Sequence, residues 1–563
     1  MSASESSAPR NLQEVLRRAA EHGAERRIEV FDRRGRTSEG RTHAQLLEAA
    51  RLFAARFARR GVAPRDRVLV CLHTSWPALE AWFGALFRGA WPVMLVPGGG
   101  LGALEAQVPR VEGVCELLDA RCLVCESSFR DELARQGARR AAAVSVTPEE
   151  LAASSVAAAL PDPQAEPEEM AFMQLTSGST GRPRAVMISH RGAVHNPIAI
   201  GEAVSAARQA GPVSDWARAV ACWVPLYHDM GLVGCLLFSI AHRLDLWLMR
   251  PETFLTRPRL WLELLGRGGP NLAPAPNFAY QFCVERVAPA ELTGADLGRW
   301  AAAMCGAEMI RPETVRAFCG AFAQAGFDPR SLRPCYGLAE GTLAVTFDRQ
   351  GGARMRTAPQ GADAGFGLSE VVSTGPPLAG MEIRITAPDG TILPEGVIGE
   401  VQMRGPSVCL GYFNDEPANA EAFQGGWFRT GDLGFVEAGE LYLTGRLKDL
   451  LIIHGQNLMP HEVEWIAEAV RGSGGTERAA AFSVARGPGG EEAVLVMEVL
   501  QETPEQLRRL GHEIRVRLGH ELKLPLADLV FVQRGRLPKT TSGKVQRGEL
   551  RRRYLEGRME RLM

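Results

Sequence analysis

The stretch LTSGSTGRPRAVMISH, residues 175–190, places glycines and hydroxyl side chains between two apolar flanks. Closely spaced glycines let a backbone approach an anion, and the N–H groups and hydroxyls of such a loop converge on phosphate oxygens. A polar surface turn has the same composition, so the loop alone supports both interpretations. The Walker motif G-x-x-x-x-G-K-[ST] is absent from the chain, which excludes a phosphate loop of that type.

The composition is that of a globular protein with more than one core. The chain has 563 residues, 46% of them apolar and 23% charged, and its formal net charge is -1. This length exceeds what one hydrophobic core supports, so we expect at least two domains. The small net charge gives no electrostatic reason to expect nucleic acid or an anionic membrane as a partner.

Neither export nor membrane insertion is expected from the sequence. The first residues, MSASESSAPRNLQ, are polar and lack the apolar segment of a signal peptide. The most apolar run, residues 231–241, is far shorter than the roughly 20 residues of a membrane helix. The eleven cysteines are scattered through apolar segments, which suits reduced thiols in a cytoplasmic protein. Cys122 and Cys125 form a lone C-x-x-C, which we interpret as a short strand and not as a metal site.

Helix and strand patterns alternate along the first part of the chain. The run RVLVCL, residues 67–72, predicts a buried strand; AWFGALFRGA predicts a helix, and WPVMLV a second strand. Such alternation is typical of an α/β fold with mainly parallel sheets covered by helices. A proline-rich, acidic linker at residues 161–170 precedes the glycine loop. Short apolar strands separated by glycines at residues 395–455 then predict hairpins, and a compact alternating piece follows them.

Four more motifs follow the glycine loop. They are YGLAEGT (336–342), WFRTGDLG (427–434), TGRLKDLLI (444–452) and LPKTTSGKVQR (537–547). With these motifs in this order, nearly the whole chain resembles the adenylate-forming superfamily of acyl-CoA synthetases, peptide-synthetase adenylation domains and luciferases. The resemblance implies a large N-terminal domain of several subdomains, with helix-covered sheets and a small β-barrel-like part. A small mobile α+β C-terminal domain would follow it.

The resemblance also implies ATP as a substrate and Mg²⁺ as its metal. Forming an acyl adenylate requires negative charge to be stabilised on both sides of the transferring phosphoryl group. The glycine loop would cradle the phosphates, with Thr180 against the leaving pyrophosphate. Glu340 occupies the position that holds Mg²⁺, which prefers hard oxygen ligands, and Tyr336, beside Gly337, would stack on the adenine. The implied loop residues are Thr176, Ser177, Gly178, Ser179, Thr180 and Gly181.

Other implied roles fall near the C-terminal end of the resemblance. Asp432 would accept hydrogen bonds from both ribose hydroxyls, a task that suits an acceptor-only carboxylate, and Arg446 would help to hold the ribose end. Lys544 would bridge the substrate carboxylate and the α-phosphate; a solvated lysine in a basic tail is the alternative. Lys448 falls at the hinge position, so we expect domains at 1–447 and 448–563.

One departure from the superfamily lies within the opening stretch. The family commonly has lysine and then glycine where this chain has Arg184 and Ala185. Arg184 keeps the positive charge, but Ala185 gives up the easy access of glycine to positive φ angles. We therefore expect this end of the loop to sit differently.

Within the superfamily, the chain is most similar to fatty acyl-AMP ligases. The motifs are WVPLYHDMGLVG (223–234), APNFAYQFCVERV (275–287) and CGAEMIRPETV (305–315). The resemblance places His228 near the carboxylate. It also implies that the acyl and adenine pockets are lined by residues near Asn277 and by Gly306, Ala307 and Glu308. The apolar run after Asp229 is open to two interpretations, a tunnel wall for an alkyl chain or a core helix.

The acyl acceptor stays open. Members of this branch carry an extra segment after YGLAE that disfavours coenzyme A, so that the acyl group passes to a carrier protein. Here residues 340–375 are rich in glycine and charge, which is also typical of a variable surface loop. We expect adenylation of a medium- or long-chain fatty acid and transfer to the phosphopantetheine thiol of an acyl carrier protein in trans. A fatty acyl-CoA synthetase and a non-catalytic acyl or nucleotide sensor are the alternatives.

Overall fold

A computed structural model describes most of the chain. The described residues are 8–32, 34–98, 104–155, 160–177, 183–359, 370–453, 456–472, 479–485, 491–539 and 544–562. Among these residues, no helix combines the length and the apolar character needed to cross a membrane.

The helices are distributed along the whole chain. They are α1 (Leu12–His22), α2 (His43–Arg59), α3 (Trp76–Phe87), α4 (Leu104–Leu117), α5 (Ser127–Arg135), α6 (Arg139–Val144), α7 (Pro148–Ala153), α8 (His190–Arg208), α9 (Val213–Trp216), α10 (Asp229–Gly231), α11 (Phe238–Ala241), α12 (Pro251–Thr256), α13 (Pro258–Gly266), α14 (Asn277–Arg286), α15 (Pro312–Phe322), α16 (Glu416–Ala422), α17 (Pro460–Arg471), α18 (Pro504–Glu521) and α19 (Arg547–Leu555). A π-helical segment, Leu232–Leu237, joins α10 to α11.

The strands form four larger sheets and one short pair. They are β1 (Arg27–Phe31), β2 (Thr37–Thr42), β3 (Arg67–Cys71), β4 (Trp91–Met94), β5 (Cys122–Cys125), β6 (Ser145–Val146), β7 (Met170–Ser177), β8 (Pro183–Ser189), β9 (Ala219–Cys222), β10 (Asp245–Leu248), β11 (Leu272–Pro276), β12 (Ala302–Gly306), β13 (Leu332–Gly337), β14 (Ala344–Phe347), β15 (Met355–Arg356), β16 (Val371–Val372), β17 (Glu382–Thr386), β18 (Gly399–Arg404), β19 (Gly411–Tyr412), β20 (Phe423–Gln424), β21 (Trp427–Glu437), β22 (Glu440–Arg446), β23 (Leu451–Ile453), β24 (Gln456–Leu458), β25 (Ala479–Ala485), β26 (Glu491–Val499) and β27 (Leu526–Gln533).

Two large sheets make up the first part of the molecule. One has the order β14-β13-β12-β11-β9-β10-β1-β2, and its six inner strands run parallel. The other has the order β19-β8-β7-β4-β3-β5-β6, with antiparallel pairing at the β7–β8 end. Helix α8 packs between them, because it contacts β7 and β8 of one sheet and β14 of the other. The predicted α/β architecture is therefore confirmed, and Cys122 and Cys125 lie in strand β5 as expected.

A smaller antiparallel sheet follows the two large ones. Its strands have the order β17-β18-β21-β20, with β22 paired to β21. The hairpin pattern seen in the sequence at residues 395–455 corresponds to this sheet and to the short hairpin β23–β24 that follows. The β21–β22 register places Asp432 directly opposite Arg446, so this sheet fixes two of the predicted nucleotide-binding residues relative to each other.

The last sheet, β24-β23-β26-β25 with β27 beside β26, forms a separate α+β unit. Successive side chains of a strand point to opposite faces, and those of β26 do so here. Leu495 and Met497 pack with α17 and α18, whereas Val494 and Val496 pack on the other face near Leu550 of α19. Both of these cores consist of residues that follow Lys448.

Candidate functional site

One cavity collects predicted residues from distant parts of the chain. It has a volume of ≈ 370 Å³ and lies where both large sheets, the antiparallel sheet and the C-terminal unit meet. An adjoining cleft of ≈ 700 Å³ runs between the C-terminal unit and the rest of the molecule. The predicted residues that line one or both are Thr176, His228, Asn277, Ala307, Glu308, Tyr336, Gly337, Glu340, Asp432, Arg446, Lys448 and Lys544.

The glycine loop joins β7 to β8 at the edge of this cavity. Thr176 pairs with Arg184, and Ser177 with Pro183, as the last pairs of the β7–β8 ladder. Gly178, Ser179, Thr180 and Gly181 lie outside the described residues, so their predicted contacts with phosphate stay predictions.

Arg184 and Ala185, which depart from the family pattern, belong to strand β8. Ala185 is buried and its φ is not positive, so the backbone there does not call for glycine. The Arg184 guanidinium pairs with Asp415 at 3.1 Å and lies over the ring of Tyr412 at 5.2 Å. The substitution is therefore accommodated within a regular strand and has a packing role.

Asp432 is a buried carboxylate with two polar partners. Its Oδ2 accepts a hydrogen bond from the Tyr336 hydroxyl at 2.7 Å, and its Oδ1 accepts one from Arg446 Nε at 2.9 Å. The charge of Asp432 raises the pKa of Arg446, and burial together with Asp432 raises the pKa of Tyr336. Each carboxylate oxygen has a second lone pair, so the group can still accept two further hydrogen bonds.

Glu340 lies in a short 3₁₀ turn, Ala339–Gly341, at the cavity wall. Its Oε1 accepts a hydrogen bond from the Tyr412 hydroxyl at 2.8 Å, and burial raises the pKa of the carboxyl group. Its Oε2 accepts no hydrogen bond from any other residue that the structure describes. Within the described part of the chain no cluster of three potential metal ligands occurs. A single carboxylate combined with substrate phosphates is a common Mg²⁺ site, so Glu340 fits the ion implied by the family.

Asp229 begins α10, His228 is the N-cap of that helix, and both line the cavity. His228 Nδ1 lies 2.6 Å from Asp229 Oδ1, and the Met230 N–H also donates to Asp229. Burial would raise the pKa of Asp229, but the neighbouring His228 and Lys544 outweigh it and lower that pKa. Asp229 was not assigned a role from the sequence, although its position directly after His228 in the motif would have supported one.

Lys544 reaches the cavity from the C-terminal unit and is not a solvated tail residue. Burial and then the positive charge of Arg446 lower its pKa, whereas Asp229, Glu308 and Asp432 oppose that shift. The ammonium group therefore lies within the field of three carboxylates that belong to the larger part of the molecule. An ammonium group in this position can also bind an anionic group of a substrate that enters the cavity.

The residues predicted to lie beside the adenine stand at the end of strand β12 and directly after it. Gly306 packs so closely on β13 that a Cβ there would lie 2.7 Å from the Cys335 carbonyl oxygen. Ala307 has a φ of 67°, a conformation that costs free energy outside glycine and often occurs at ligand sites. Glu308 accepts a hydrogen bond from the Phe278 N–H at 2.5 Å, which joins this loop to the start of α14.

The apolar run after Asp229 proves to be both a core helix and a cavity wall. Its π-helical segment is fully buried, yet Met230 and Gly234 line the cavity. Other apolar or small lining residues are Ile200, Pro274, Met304, Leu343, Ala344 and Phe347. Arg110 and Tyr412 also line the cavity, and neither was identified from the sequence because each is remote from the motifs used.

Comparisons with known proteins show the family and the fold to which the chain is similar. The AMP-binding enzyme family matches residues 16–413. A putative acyl-CoA synthetase of Caulobacter vibrioides is 31% identical over 94% of this chain and 93% of its own. The medium-chain-fatty-acid–[acyl-carrier-protein] ligase JamA of Moorena producens is 31% identical over 92% and 90%. A structure from a study of fatty acyl-adenylate ligases of E. coli and L. pneumophila has a TM-score of 0.86 at 30% identity, covering 98% of each chain.

Proposed function

The chain belongs to the AMP-binding enzyme family and is an adenylate-forming ligase similar to fatty acyl-AMP ligases, and on this premise we propose its substrate and its acceptor. The substrate is a medium- or long-chain fatty acid, which is activated as acyl-AMP. The acyl group then passes to the phosphopantetheine thiol of a carrier protein acting in trans. The cytoplasmic location inferred from the free cysteines belongs to the same proposal.

A single observation carries this proposal. One cavity is lined both by apolar side chains and by carboxylates, arginines and lysines. The apolar side chains suit an alkyl chain, and the charged side chains suit a carboxylate next to a nucleotide phosphate. Apolar side chains alone would fit any lipid pocket, and charged side chains alone would fit any nucleotide site. Because both line the same cavity, it fits a fatty acid that reacts with ATP.

We assign nucleotide binding to buried Asp432 and its two partners, Tyr336 and Arg446. The Asp432 carboxylate, oriented by Tyr336 and Arg446, would accept hydrogen bonds from the ribose hydroxyls through its remaining lone pairs. The Tyr336 ring would cover the adenine, whose other contacts would come from the loop at Ala307 and Glu308. The glycine loop would receive the β- and γ-phosphates.

Adenylation then requires a carboxylate oxygen to bond to the α-phosphorus while the bond to pyrophosphate breaks. Lys544 would hold both anions together and offset the charge that develops between them, with His228 beside the carboxylate. In the second step the acceptor thiolate would attack the acyl carbon and release AMP. Glu340 would hold Mg²⁺, which supplies charge neutralisation of the phosphates when it is bound.

The preference for a carrier protein rests on the segment after Thr346. Arg354 in that segment pairs with buried Asp348 at 2.9 Å and also with Glu440 of β22. Ala353 and Ala358 are buried, and β15 pairs with β16, so the described part of the segment is anchored to the core and is not a loose surface loop. JamA is named for transfer to a carrier protein, which supports the same acceptor here, whereas another relative is named an acyl-CoA synthetase.

The acceptor is tested by mass spectrometry of the products. Purified protein is given ATP, Mg²⁺ and a mixture of fatty acids, with coenzyme A in one reaction and a phosphopantetheinylated carrier protein in another. We expect acyl-AMP in both reactions and a thioester only on the carrier. Abundant acyl-CoA would assign the protein to the synthetases, and absence of acyl-AMP from both would favour a sensor.

The role of Lys544 is tested by Lys544→Ala. Loss of an electrostatic group at the reacting centre is expected to lower acyl-AMP formation by at least about a hundredfold. Lys523→Ala is the matched control, because Lys523 belongs to the same unit, is exposed and donates to the His520 carbonyl away from the cavity. Acyl-AMP formation by Lys544→Ala at the parent rate would contradict the catalytic assignment.

A further inference from the structure

One face of helix α17 lines the cleft between the C-terminal unit and the rest of the molecule. His461, Glu464, Trp465 and Glu468 follow one another at spacings of three, one and three residues, which places them on the same side of a helix. All four line the cleft. Three of them, His461, Glu464 and Glu468, are polar residues that are nevertheless buried, so this face has a specific set of partners.

Arg311 is the partner that comes from the larger part of the molecule. Its Nη1 donates to Glu468 Oε2 at 3.0 Å and its Nη2 donates to the Trp465 carbonyl oxygen at 3.3 Å. The guanidinium also lies over the Trp465 ring, 5.2 Å from its centre. The side chains of Arg311 and Glu468 are only 12% and 4% exposed. Little water therefore screens this ion pair.

Arg311 is also joined to the adenine side of the proposed site. It lies three residues after Glu308 and immediately before α15, and its backbone N–H donates to Asn277 Oδ1 at 3.2 Å. Asn277 and Glu308 both line the same cleft. The loop that would contact the nucleotide thus continues directly into a contact with α17.

The same face of α17 also holds the segment that carries Lys544. Glu464 accepts two hydrogen bonds from Arg547, at 2.9 and 2.6 Å, and Arg547 follows Lys544 by three residues. Arg547 also pairs with Asp449, next to Lys448, at 3.4 Å. Burial, reinforced by the charges of Arg547 and Arg311, lowers the pKa of His461 to about 3, so His461 stays neutral and adds no competing cation.

A rotation of the C-terminal unit about Lys448 would keep some of the contacts of α17 and break others. The Glu464–Arg547–Asp449 group lies wholly after Lys448 and would move as one body. The Arg311–Glu468 pair joins residues on the two sides of Lys448 and has to break. Turning would remove the contacts of Arg311 with the Glu468 carboxylate, the Trp465 carbonyl oxygen and the Trp465 ring together, and the loss of all three favours the closed arrangement.

We propose that Arg311 is a positioning residue whose ion pair with Glu468 holds the C-terminal unit in the pose that places Lys544 in the cavity. The pair forms for adenylation and opens before the acyl group is transferred. This inference rests on the proposed two-step function. It predicts that weakening the pair lowers the population of the adenylating pose and not that of the transferring pose.

The two half-reactions are measured separately. Adenylation is followed by pyrophosphate exchange with ATP and dodecanoic acid. Transfer is followed with purified dodecanoyl-AMP and whichever of coenzyme A or phosphopantetheinylated carrier protein the parent protein uses. Arg311→Ala and Glu468→Gln are each expected to slow adenylation about tenfold, within the usual range of coupling between two states, and to leave transfer unchanged or faster.

Two further variants separate positioning from general stability. Arg311→Lys keeps the charge but loses the planar contact with Trp465, so adenylation should be intermediate. Arg316→Ala is the matched control, because Arg316 lies on α15 and pairs with exposed Glu370 within the larger part of the molecule; both half-reactions should stay at parent values. The double variant Arg311→Ala with Glu468→Gln should be no slower than either single variant, because both remove the same contact.

Each result has a distinct meaning. Equal loss of adenylation and transfer with a lowered melting temperature would show a structural role and overturn the inference. Parent-like adenylation in Arg311→Ala would overturn it as well. If the parent protein makes neither dodecanoyl-AMP nor any other acyl-AMP, the proposed function itself fails. This outcome is distinguishable from failure of the Arg311 inference, because it appears in the parent protein and not only in the variants.

Discussion

Asp432 is the residue on which most of the geometry of the proposed nucleotide site depends. It is 5% exposed, and a carboxylate with so little access to water requires partners. Tyr336 and Arg446 supply them from different strands. These two contacts also orient the carboxylate plane, so the direction in which it can accept further hydrogen bonds is set by the protein itself.

Tyr336→Phe tests this orientation. The variant keeps the aromatic ring and removes one hydrogen bond to a buried charge, worth roughly 1.5–3 kcal/mol. We expect KM for ATP to rise about tenfold in pyrophosphate exchange, with a smaller change in kcat. Tyr554→Phe is the control, because Tyr554 also donates to an aspartate, Asp528, but outside the cavity. An unchanged KM for ATP in Tyr336→Phe would show that the Asp432 carboxylate does not depend on the Tyr336 hydroxyl for its orientation.

At the scale of elements, the hairpin β13–β14 positions Tyr336 and Glu340 together. Its turn is irregular, because the register shifts between Tyr336 and Gly337, and Thr342 has a φ of 66°. Thr342 is buried, and its hydroxyl donates to the Ser407 carbonyl oxygen at 2.6 Å. This contact holds a backbone conformation that is unfavourable in isolation, and it fixes the 3₁₀ turn that carries Glu340.

Gly337→Ala should disrupt this hairpin. A Cβ at Gly337 would lie 1.7 Å from the Leu343 carbonyl oxygen, which accepts the hydrogen bond that closes the turn from Leu338 N–H. We expect a lower melting temperature and loss of adenylation, measured by thermal denaturation and pyrophosphate exchange. Gly320→Ala in α15 is the control, because nothing lies within 4 Å of a Cβ there. Parent-like stability and activity of Gly337→Ala would refute the close packing of the turn.

At the scale of the whole molecule, the hydrophobic cores divide the chain near Lys448. The buried clusters of the C-terminal unit contain residues from Leu451 onward, and the large clusters contain none of these. The predicted boundary between 1–447 and 448–563 is consistent with this division. It stays a prediction, because separate cores do not by themselves establish independent folding or a pivot.

The boundary is tested with the fragment 1–447. Since its cores are complete, we expect a soluble fragment with a cooperative thermal transition but without acyl-AMP formation, because Lys544 is missing. The fragment 1–439 is the control: it lacks β22, which pairs with β21 and carries Arg446, and it should aggregate or lose cooperativity. A fragment 1–447 that fails to fold would place the boundary elsewhere.

The sequence by itself determined the alternation of helices and strands, the family, and several of the polar residues that line the cavity and the adjoining cleft. Periodic apolar residues and glycine-rich turns encode local backbone preferences, which can be read within a few residues. The motifs also identified Lys544, Glu340 and Asp432 without showing what each contacts.

Only the tertiary structure decided the contacts themselves. Tyr336 and Asp432 are 96 residues apart, Tyr412 and Glu340 are 72 apart, and Arg311 and Glu468 are 157 apart. No local pattern carries such a pairing, because it depends on how the sheets stack and on where the C-terminal unit docks. The carboxylates around Lys544 and the buried face of α17 are likewise products of packing, since their burial and pKa shifts exist only once distant segments have come together.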